Sequence, residues 1–377
     1  MQKKIKVMSL FGTRPEAVKM APVVKELESS NNIDHRVCVT AQHRDMLDQV
    51  LEIFDIKPDF DLDIFEHGQT LTQITCRAIQ GLEGIFREFK PDIILVQGDT
   101  TTVFSGALAA FYHKIKIGHV EAGLRSGNMM SPYPEEGNRK LTGVLAHFHF
   151  APTEEAKNNL LKEGYPESSI YVTGNTVIDA LFKVVNYDYK FKNEFLRSID
   201  FSKKVILLTS HRRENIGKPM KNIFNAVKRV VEENEEVQLI YPVHLNPKVR
   251  DIAKEILGKK KRIHLIEPLD YVPFANLINK CHIVVTDSGG IQEEAPSLGK
   301  PVLVVRNETE RPEGIKSGTA KLAGTEEEKI YKTLNNLINN ENEYKKMANA
   351  VNPYGDGKAS QRIKDIILGD KKTKDSL

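Results

Sequence analysis

"TDSGGIQEEAPSLGKP", Thr286 to Pro301, is the stretch on which the fold turns. Ahead of it the apolar run Ile283–Val285 reads as a strand. Asp287-Ser288-Gly289-Gly290 reads as a tight turn of small residues, and the segment carrying Glu293 and Glu294 as a helix. Strand, small turn and helix start together bind phosphate, because the first N–H groups of the helix are unpaired and its dipole favours an anion. Yet neither GxGxxG nor GxxxxGK[ST] occurs in the chain. A phosphate compound is expected here, held without either common fingerprint.

Outward from this stretch the same alternation fills the chain. "IKVMSLFG", "HRVCVTA", "PDIILVQGD", "KIGHVEAG", "FHFAPT" and "IYVTGN" are strand-like, and helical patterns stand between most of them. The pattern restarts with "KKVILLTSH", "VQLIYPVH", "RIHLIEP", "HIVVTDSGG" and "PVLVVRN". The runs are rich in Ile and Val and apolar on both sides of the pleat, as strands of a covered parallel sheet are. Strands alternating with helices predict βαβ units. The fold class is therefore α/β, with two doubly wound Rossmann-like domains facing across a cleft. Ligands are expected at the carboxyl ends of their strands. The domains are placed at 1–174 and 175–357, with a final helix in 358–377 crossing back onto the first. Arg-Pro-Glu occurs once in each half, at Arg14-Pro15-Glu16 and Arg311-Pro312-Glu313, and suggests symmetry.

Size and charge agree. A chain of 377 residues exceeds one ordinary core. Its 54 basic and 51 acidic residues leave a formal charge of +3, which argues against a nucleic-acid partner. The dense basic run Lys259-Lys260-Lys261-Arg262 reads as a solvated loop. Cys38, Cys76 and Cys281 are far apart, with no zinc-like spacing, and read as reduced thiols of a cytoplasmic protein. No stretch approaches the ~20 apolar residues of a membrane span. No metal site is expected.

Polar residues recur at strand ends: Arg14 after "SLFGT", Asp99 after "ILVQG", Glu121 after "GHV", His211 after "LLTS" and Ser288 after "VVTD". Each has an ordinary explanation. Asp99 precedes a helix as an N-cap would, and Glu135 and Glu136 suit a helix N-terminus. Their recurrence in both halves is what points to a site. Gly289 and Gly290 allow close backbone approach to phosphates, and Glu294 is placed to meet ribose hydroxyls. Arg14, Arg212, Arg213 and Arg311 are suited to neutralising a diphosphate. A nucleotide-sugar diphosphate clamped by both halves is the expected ligand.

The blocks "FGTRPEAVKMAP", "QGDTTT", "GHVEAGLRSG", "SPYPEEGNRKLTG", "TGNTVIDAL", "SHRREN", "YPVHLNP", "TDSGGIQEEAPSLGKPVLVVRNETERPEG" and "NPYGDGKASQRI" resemble the non-hydrolysing UDP-N-acetylglucosamine 2-epimerases, in order, from about residue 8 to about residue 367. The resemblance implies a glycosyltransferase-B-like fold and a homodimer. It implies an isomerase that interconverts UDP-N-acetylglucosamine and UDP-N-acetylmannosamine without a cofactor, releasing and recapturing UDP, for cell-surface polysaccharide synthesis. It implies acid/base and transition-state roles for Asp99, Glu121, Glu135 and His211. Substrate contacts fall on Arg14, Lys19, Phe274, Ser288, Gly289, Gly290, Glu294 and Arg311. Gln42, His43, Arg212 and His244 match a second, activating substrate site. Some regulated members carry an Arg before "QTL", where this chain has Gly68.

The chemistry is consistent with that resemblance. Carbon 2 of the sugar is not next to a carbonyl, so its hydrogen is not acidic. Without a bound nicotinamide, elimination of UDP and re-addition on the other face is the remaining route. It needs a base near carbon 2 and stabilisation of the leaving diphosphate. A hydrolysing epimerase, a glycosyltransferase of the same fold and a non-catalytic nucleotide-sugar sensor are the alternatives.

Overall fold

The computed structural model describes residues 3–369. The chain forms two compact units, residues 1–183 with 354–377, and residues 184–353. The last residues of the expected terminal segment, 370–377, lie outside the described residues.

Seven parallel strands build the first sheet: β1 Ile5–Phe11, β2 Ile33–Val39, β3 Phe60–Asp61, β4 Ile93–Gln97, β5 Lys116–Val120, β6 Phe148–Ala151 and β7 Ile170–Val172. Their order is β3-β2-β1-β4-β5-β6-β7. Six build the second: β8 Lys204–Thr209, β9 Val237–Pro242, β10 Ile263–Ile266, β11 Ile283–Thr286, β12 Val302–Val304 and β13 Ala320–Leu322, in the order β10-β9-β8-β11-β12-β13. Each sheet grows first to one side of its opening strand and then to the other. The order thus reverses beside β1 and β4 in one unit, and beside β8 and β11 in the other. Crevices for ligands open at the carboxyl ends of such strand pairs.

The apolar runs have a direct structural reason. Along β8, Val205 and Leu207 enter one core with Ile240 and Val284, while Ile206 and Leu208 enter the opposite core with Phe224 and Tyr241. Both faces of the sheet are covered, so every position must be apolar. Truncating one such residue, Leu207→Ala, costs about 2–5 kcal/mol.

The boundary between the units falls after Lys183 instead of near Gly174. The helix Thr176–Val184 buries Val177, Ile178, Ala180 and Leu181, and Val177 and Ile178 pack with Tyr354, which holds most of that helix in the first unit. The chain returns at Tyr354. Asn175 donates its backbone N–H to the Tyr354 carbonyl at 2.7 Å. Asp179 accepts the N–H groups of Ala359 (3.2 Å) and Ser360 (2.8 Å). The final helix, Ala359–Gly369, packs on Arg14–Glu28, with Lys364 bonded to Glu26 at 2.7 Å. At this crossing Gly174 has φ +90, and a side chain there would lie 3.3 Å from the Gly355 Cα.

The two Arg-Pro-Glu copies are not equivalent. The first opens the helix after β1, the first strand of its sheet order to be laid down, whereas the second follows β12. The position matching Arg14 in the second unit is the Ser210-His211-Arg212 turn after β8.

Candidate active site

The turn after β1 is fastened by Glu16, which is buried in the helix Arg14–Glu28. Its carboxylate accepts the backbone N–H of Gly12 at 2.9 Å and of Thr13 at 2.7 Å, and the Thr100 hydroxyl. Burial pushes the Glu16 pKa up, against the effect of these hydrogen bonds. The turns after β1 and β4 are thereby tied together.

Asp99 is not an N-cap. Thr100 caps the helix Thr101–Tyr112, accepting the Val103 N–H at 3.4 Å. The Asp99 carboxylate is left for Arg139, at 2.5 Å. The same guanidinium donates to Glu136 at 3.0 Å. Glu136 is fully buried and also accepts N–H groups from Ser126 (3.0 Å) and Gly127 (3.3 Å). Its burial raises the pKa, but the bonds from Ser126, Arg139 and Gly127 outweigh it and the net shift is downward. Glu136 is a fixed anchor for Arg139.

Glu121 follows β5 with φ +65, an arrangement that costs a non-glycine residue about 1–3 kcal/mol. It is buried, and its carboxylate takes hydrogen bonds from the Lys19 ammonium and the Gln97 amide. Lys19 is thus a partner of Glu121 within the protein. Glu135 opens the helix Glu135–Leu145. Its Oε2 is buried and has no hydrogen-bond partner among the described residues. An unsatisfied buried acceptor costs about 1–3 kcal/mol, which a donor group of a ligand would relieve. Arg14 is exposed at the first position of its helix. Gln42 accepts a hydrogen bond from Thr102 at 2.9 Å, and the His43 N–H donates to Gly12 at 3.1 Å.

In the second unit the helix Gly289–Ser297 starts after β11, and Ser288 caps it without a side-chain hydrogen bond. Neither Gly289 nor Gly290 has positive φ. Their value is space. A methyl on Gly290 would meet nothing within 4 Å. One on Gly289 would lie 3.9 Å from Arg212 Nη2 and 4.0 Å from Arg311 Cζ. Two guanidinium groups therefore stand beside an open helix N-terminus, the electrostatic setting for a phosphate. Arg311 is held by the buried carboxylate of Glu293.

Beneath the β8 turn lies Asp287, with no exposed surface. It accepts the Ser210 hydroxyl, the backbone N–H groups of His211 and Arg212, and the Asn215 amide, each at 3.0 Å. His211 is partly exposed, and its ring stacks on His244 at 5.4 Å. Burial pulls its pKa down, with Asp287 opposing. Glu294 is buried on the glycine-led helix, and Phe274 packs half-buried against the apolar core.

The chain matches the family model described as UDP-N-acetylglucosamine 2-epimerase over residues 25–368. It is 59% identical to the UDP-N-acetylglucosamine 2-epimerase of Bacillus subtilis (strain 168), over 97% of this chain and 96% of that one. The chain belongs to the UDP-N-acetylglucosamine 2-epimerase family. Two solved epimerases superpose along nearly the whole length. The Neisseria meningitidis enzyme bound to UDP-GlcNAc has a TM-score of 0.85 and 50% identity, covering 97% of this chain and 100% of that one. The Methanocaldococcus jannaschii enzyme in complex with UDP-GlcNAc and UDP has a TM-score of 0.76 and 36% identity, at the same coverages.

In this epimerase chain Asp99 and Glu121 follow the carboxyl ends of β4 and β5, Glu135 opens the helix between β5 and β6, Lys19 sits on Glu121 and Arg14 opens the helix after β1. Ser288, Gly289, Gly290, Arg212 and Arg311 gather in the second unit, with His211 and His244 paired nearby. The four residues matched to an activating site are split, Gln42 and His43 in one unit, Arg212 and His244 in the other. The sequence reading missed Gln97, Arg139, Asp287 and Glu293, which hold the predicted residues in place. Asp287 had the clearest signal, a strand-end carboxylate adjoining the glycine turn.

Proposed function

We propose that this chain reversibly epimerises carbon 2 of UDP-N-acetylglucosamine, giving UDP-N-acetylmannosamine with no net hydrolysis. The observation carrying this reading is the open N-terminus at Gly289 and Gly290 flanked by Arg212 and Arg311. That arrangement suits a diphosphate both as a bound group and as a departing one. A carboxylate among Asp99, Glu121 and Glu135 removes the carbon 2 proton. The C–H electron pair becomes the C1–C2 double bond, and UDP leaves with the electrons of the C1–O bond. Protonation of carbon 2 from the opposite face and return of a UDP oxygen to carbon 1 complete the turnover. His211 stabilises charge on the nucleotide side, Phe274 and Glu294 contact the nucleoside, and Arg14 and Lys19 assist from the first unit. No resident redox group enters this sequence.

Proton NMR in heavy water tests the reading. Interconversion of the two UDP-sugars with deuterium at carbon 2 supports it. Free UDP with free N-acetylmannosamine indicates hydrolysis, and an unchanged substrate indicates a transferase or a sensor. We further propose a cytoplasmic homodimer that supplies cell-surface polysaccharide precursors, with sedimentation equilibrium as the check on its state. Gln42, His43, Arg212 and His244 are proposed to bind UDP-N-acetylglucosamine as an activator. Reverse rates unaltered by added UDP-N-acetylglucosamine, in both the parent and His244→Ala, would remove that second site.

A further inference from the structure

His211 is the one imidazole among the groups assigned to the reaction, and an imidazole acts through whichever ring nitrogen its surroundings leave exposed. Its Nδ1 stands 3.6 Å from Asp287 Oδ1. That is longer than a hydrogen bond, but catalytic contacts are often long without ligand and tighten when it binds. The Asp287 carboxylate cannot drift away to avoid the ring. Its other oxygen accepts from Ser210, His211 N–H, Arg212 N–H and Asn215, each at 3.0 Å. It has no exposed surface, and its own N–H is bonded to Thr209 at 3.2 Å.

We propose that Asp287 is a positioning residue that keeps a proton on His211 Nδ1, so that Nε2 is the nitrogen offered to the substrate. The assignment rests on the epimerase reading for its chemical consequence, but its geometry stands without it. An acceptor-only group facing Nδ1 favours the N–H form there. The other charged or titratable neighbours do not compete for that proton as acceptors in the same way. Arg212 is a cation, His244 stacks on the ring face, and Glu214 lies on the same turn with its carboxylate bonded to Arg306 at 3.0 Å. Carboxylate–imidazole pairs in other enzymes fix tautomer and orientation in this manner.

Asp287→Asn separates tautomer control from scaffolding. The amide oxygen can still receive the four donors, while the amide N–H₂ replaces Oδ1, gives up only its 3.2 Å share of the His211 N–H and donates to Nδ1. His211 should then carry its neutral-state proton on Nε2. We expect kcat to fall roughly 10²–10⁴-fold, with KM changed only a few-fold. In the ligand-free full chain, the His211 ring ¹⁵N shifts should exchange between the Nδ1–H and Nε2–H patterns, assigned with His211→Gln. Loss of the anion should also lower the His211 titration midpoint. If parent His211 already shows the Nε2–H pattern, the proposal is wrong, whatever the activity. Activity lost only in proportion to the folded fraction, with an unmoved His211 spectrum, also overturns it. Should Asp287→Asn not fold, the tautomer in the parent protein decides alone. A parent chain with Nδ1–H on His211 but no conversion of UDP-N-acetylglucosamine would retain the positioning assignment and remove the reaction.

Discussion

The turn after β1 and the turn after β8 occupy the same place in their two sheets, and one buried carboxylate secures each. The carboxylates come from different distances. Glu16 lies in the helix that its own turn begins, three and four residues from the N–H groups it accepts. Asp287 comes from the neighbouring strand, more than seventy residues away along the chain. The first turn is closed locally, and its unit carries the acids Asp99, Glu121 and Glu135. The second is bound across the point where strand order reverses, and it carries His211 and Arg212 beside Arg311. One sheet plan thus carries a carboxylate-rich edge in one unit and an arginine-rich edge in the other, which the proposed reaction would use for proton transfer and for holding the diphosphate. Loop chemistry, and not strand order, makes the difference.

The sharpest way to break this contrast is to separate turnover from affinity. Asp99→Asn, Glu121→Gln and Glu135→Gln should each lower kcat roughly 10²–10⁴-fold while UDP affinity, measured calorimetrically, shifts only a few-fold. Comparable loss of UDP binding in all three would erase the division of labour. Arg311→Ala is the converse change. Removing a charge-assisted contact of about 1.5–3 kcal/mol should weaken UDP binding about 10–100-fold. It also strips the buried Glu293 of its guanidinium partner, so thermal stability should fall as well. Undiminished UDP binding by a folded Arg311→Ala protein would move the diphosphate elsewhere.

Gly290→Ala gives a smaller and cleaner effect. The added methyl meets no protein atom within 4 Å, so the melting temperature should hold or rise slightly. UDP affinity should drop about tenfold, one lost contact's worth of about 1.4 kcal/mol. Equal affinity would mean that the space over Gly290 stays empty in the complex.

The mildest expected difference is in acid. Burial lowers the pKa of His35 and His119 to about 4 and of His149 to about 3, all in the first unit. In the second unit His282 is lowered to about 4. Each binds a proton near its ordinary 6.5 once unfolded. The unfolded chain therefore holds more protons between those values. The stability these residues lend is complete above pH 6.5 and is lost as pH falls toward 4 and then 3. Hydrogen exchange followed peptide by peptide from pH 7 to 4.5 should show the first unit losing protection sooner. Loss in step in both units would place acid sensitivity elsewhere.

Long buried strands were legible because a sheet covered on both faces demands unbroken apolar runs, as β4 and β8 show. Phe60–Asp61 and Ala320–Leu322 were not. Edge strands of two and three residues are half-exposed and carry no such run. The unit boundary was misplaced at Gly174 because the turn signal there is real, yet the next helix packs backward. Asp99 looked like a cap because a strand-end Asp usually is one, and Thr100 does that work by accepting the Val103 N–H. Strand-end position brought the candidate site residues into view. Their holders Gln97, Arg139 and Glu293 stayed out of sight, since each is defined by a partner that only folding brings near.

The first unit is assembled from both sides of the second, with the helix Ala359–Gly369 closing against Arg14–Glu28. On a ribosome the whole of residues 184–353 emerges between those two pieces. At ordinary elongation rates that interval is on the order of ten seconds or more. Throughout it the apolar face of Arg14–Glu28 lacks its last cover, so the half made first is finished last. A growing chain then carries an unfinished first unit after its second can already fold, a window in which a chaperone would find the uncovered side of Arg14–Glu28 before the final helix does.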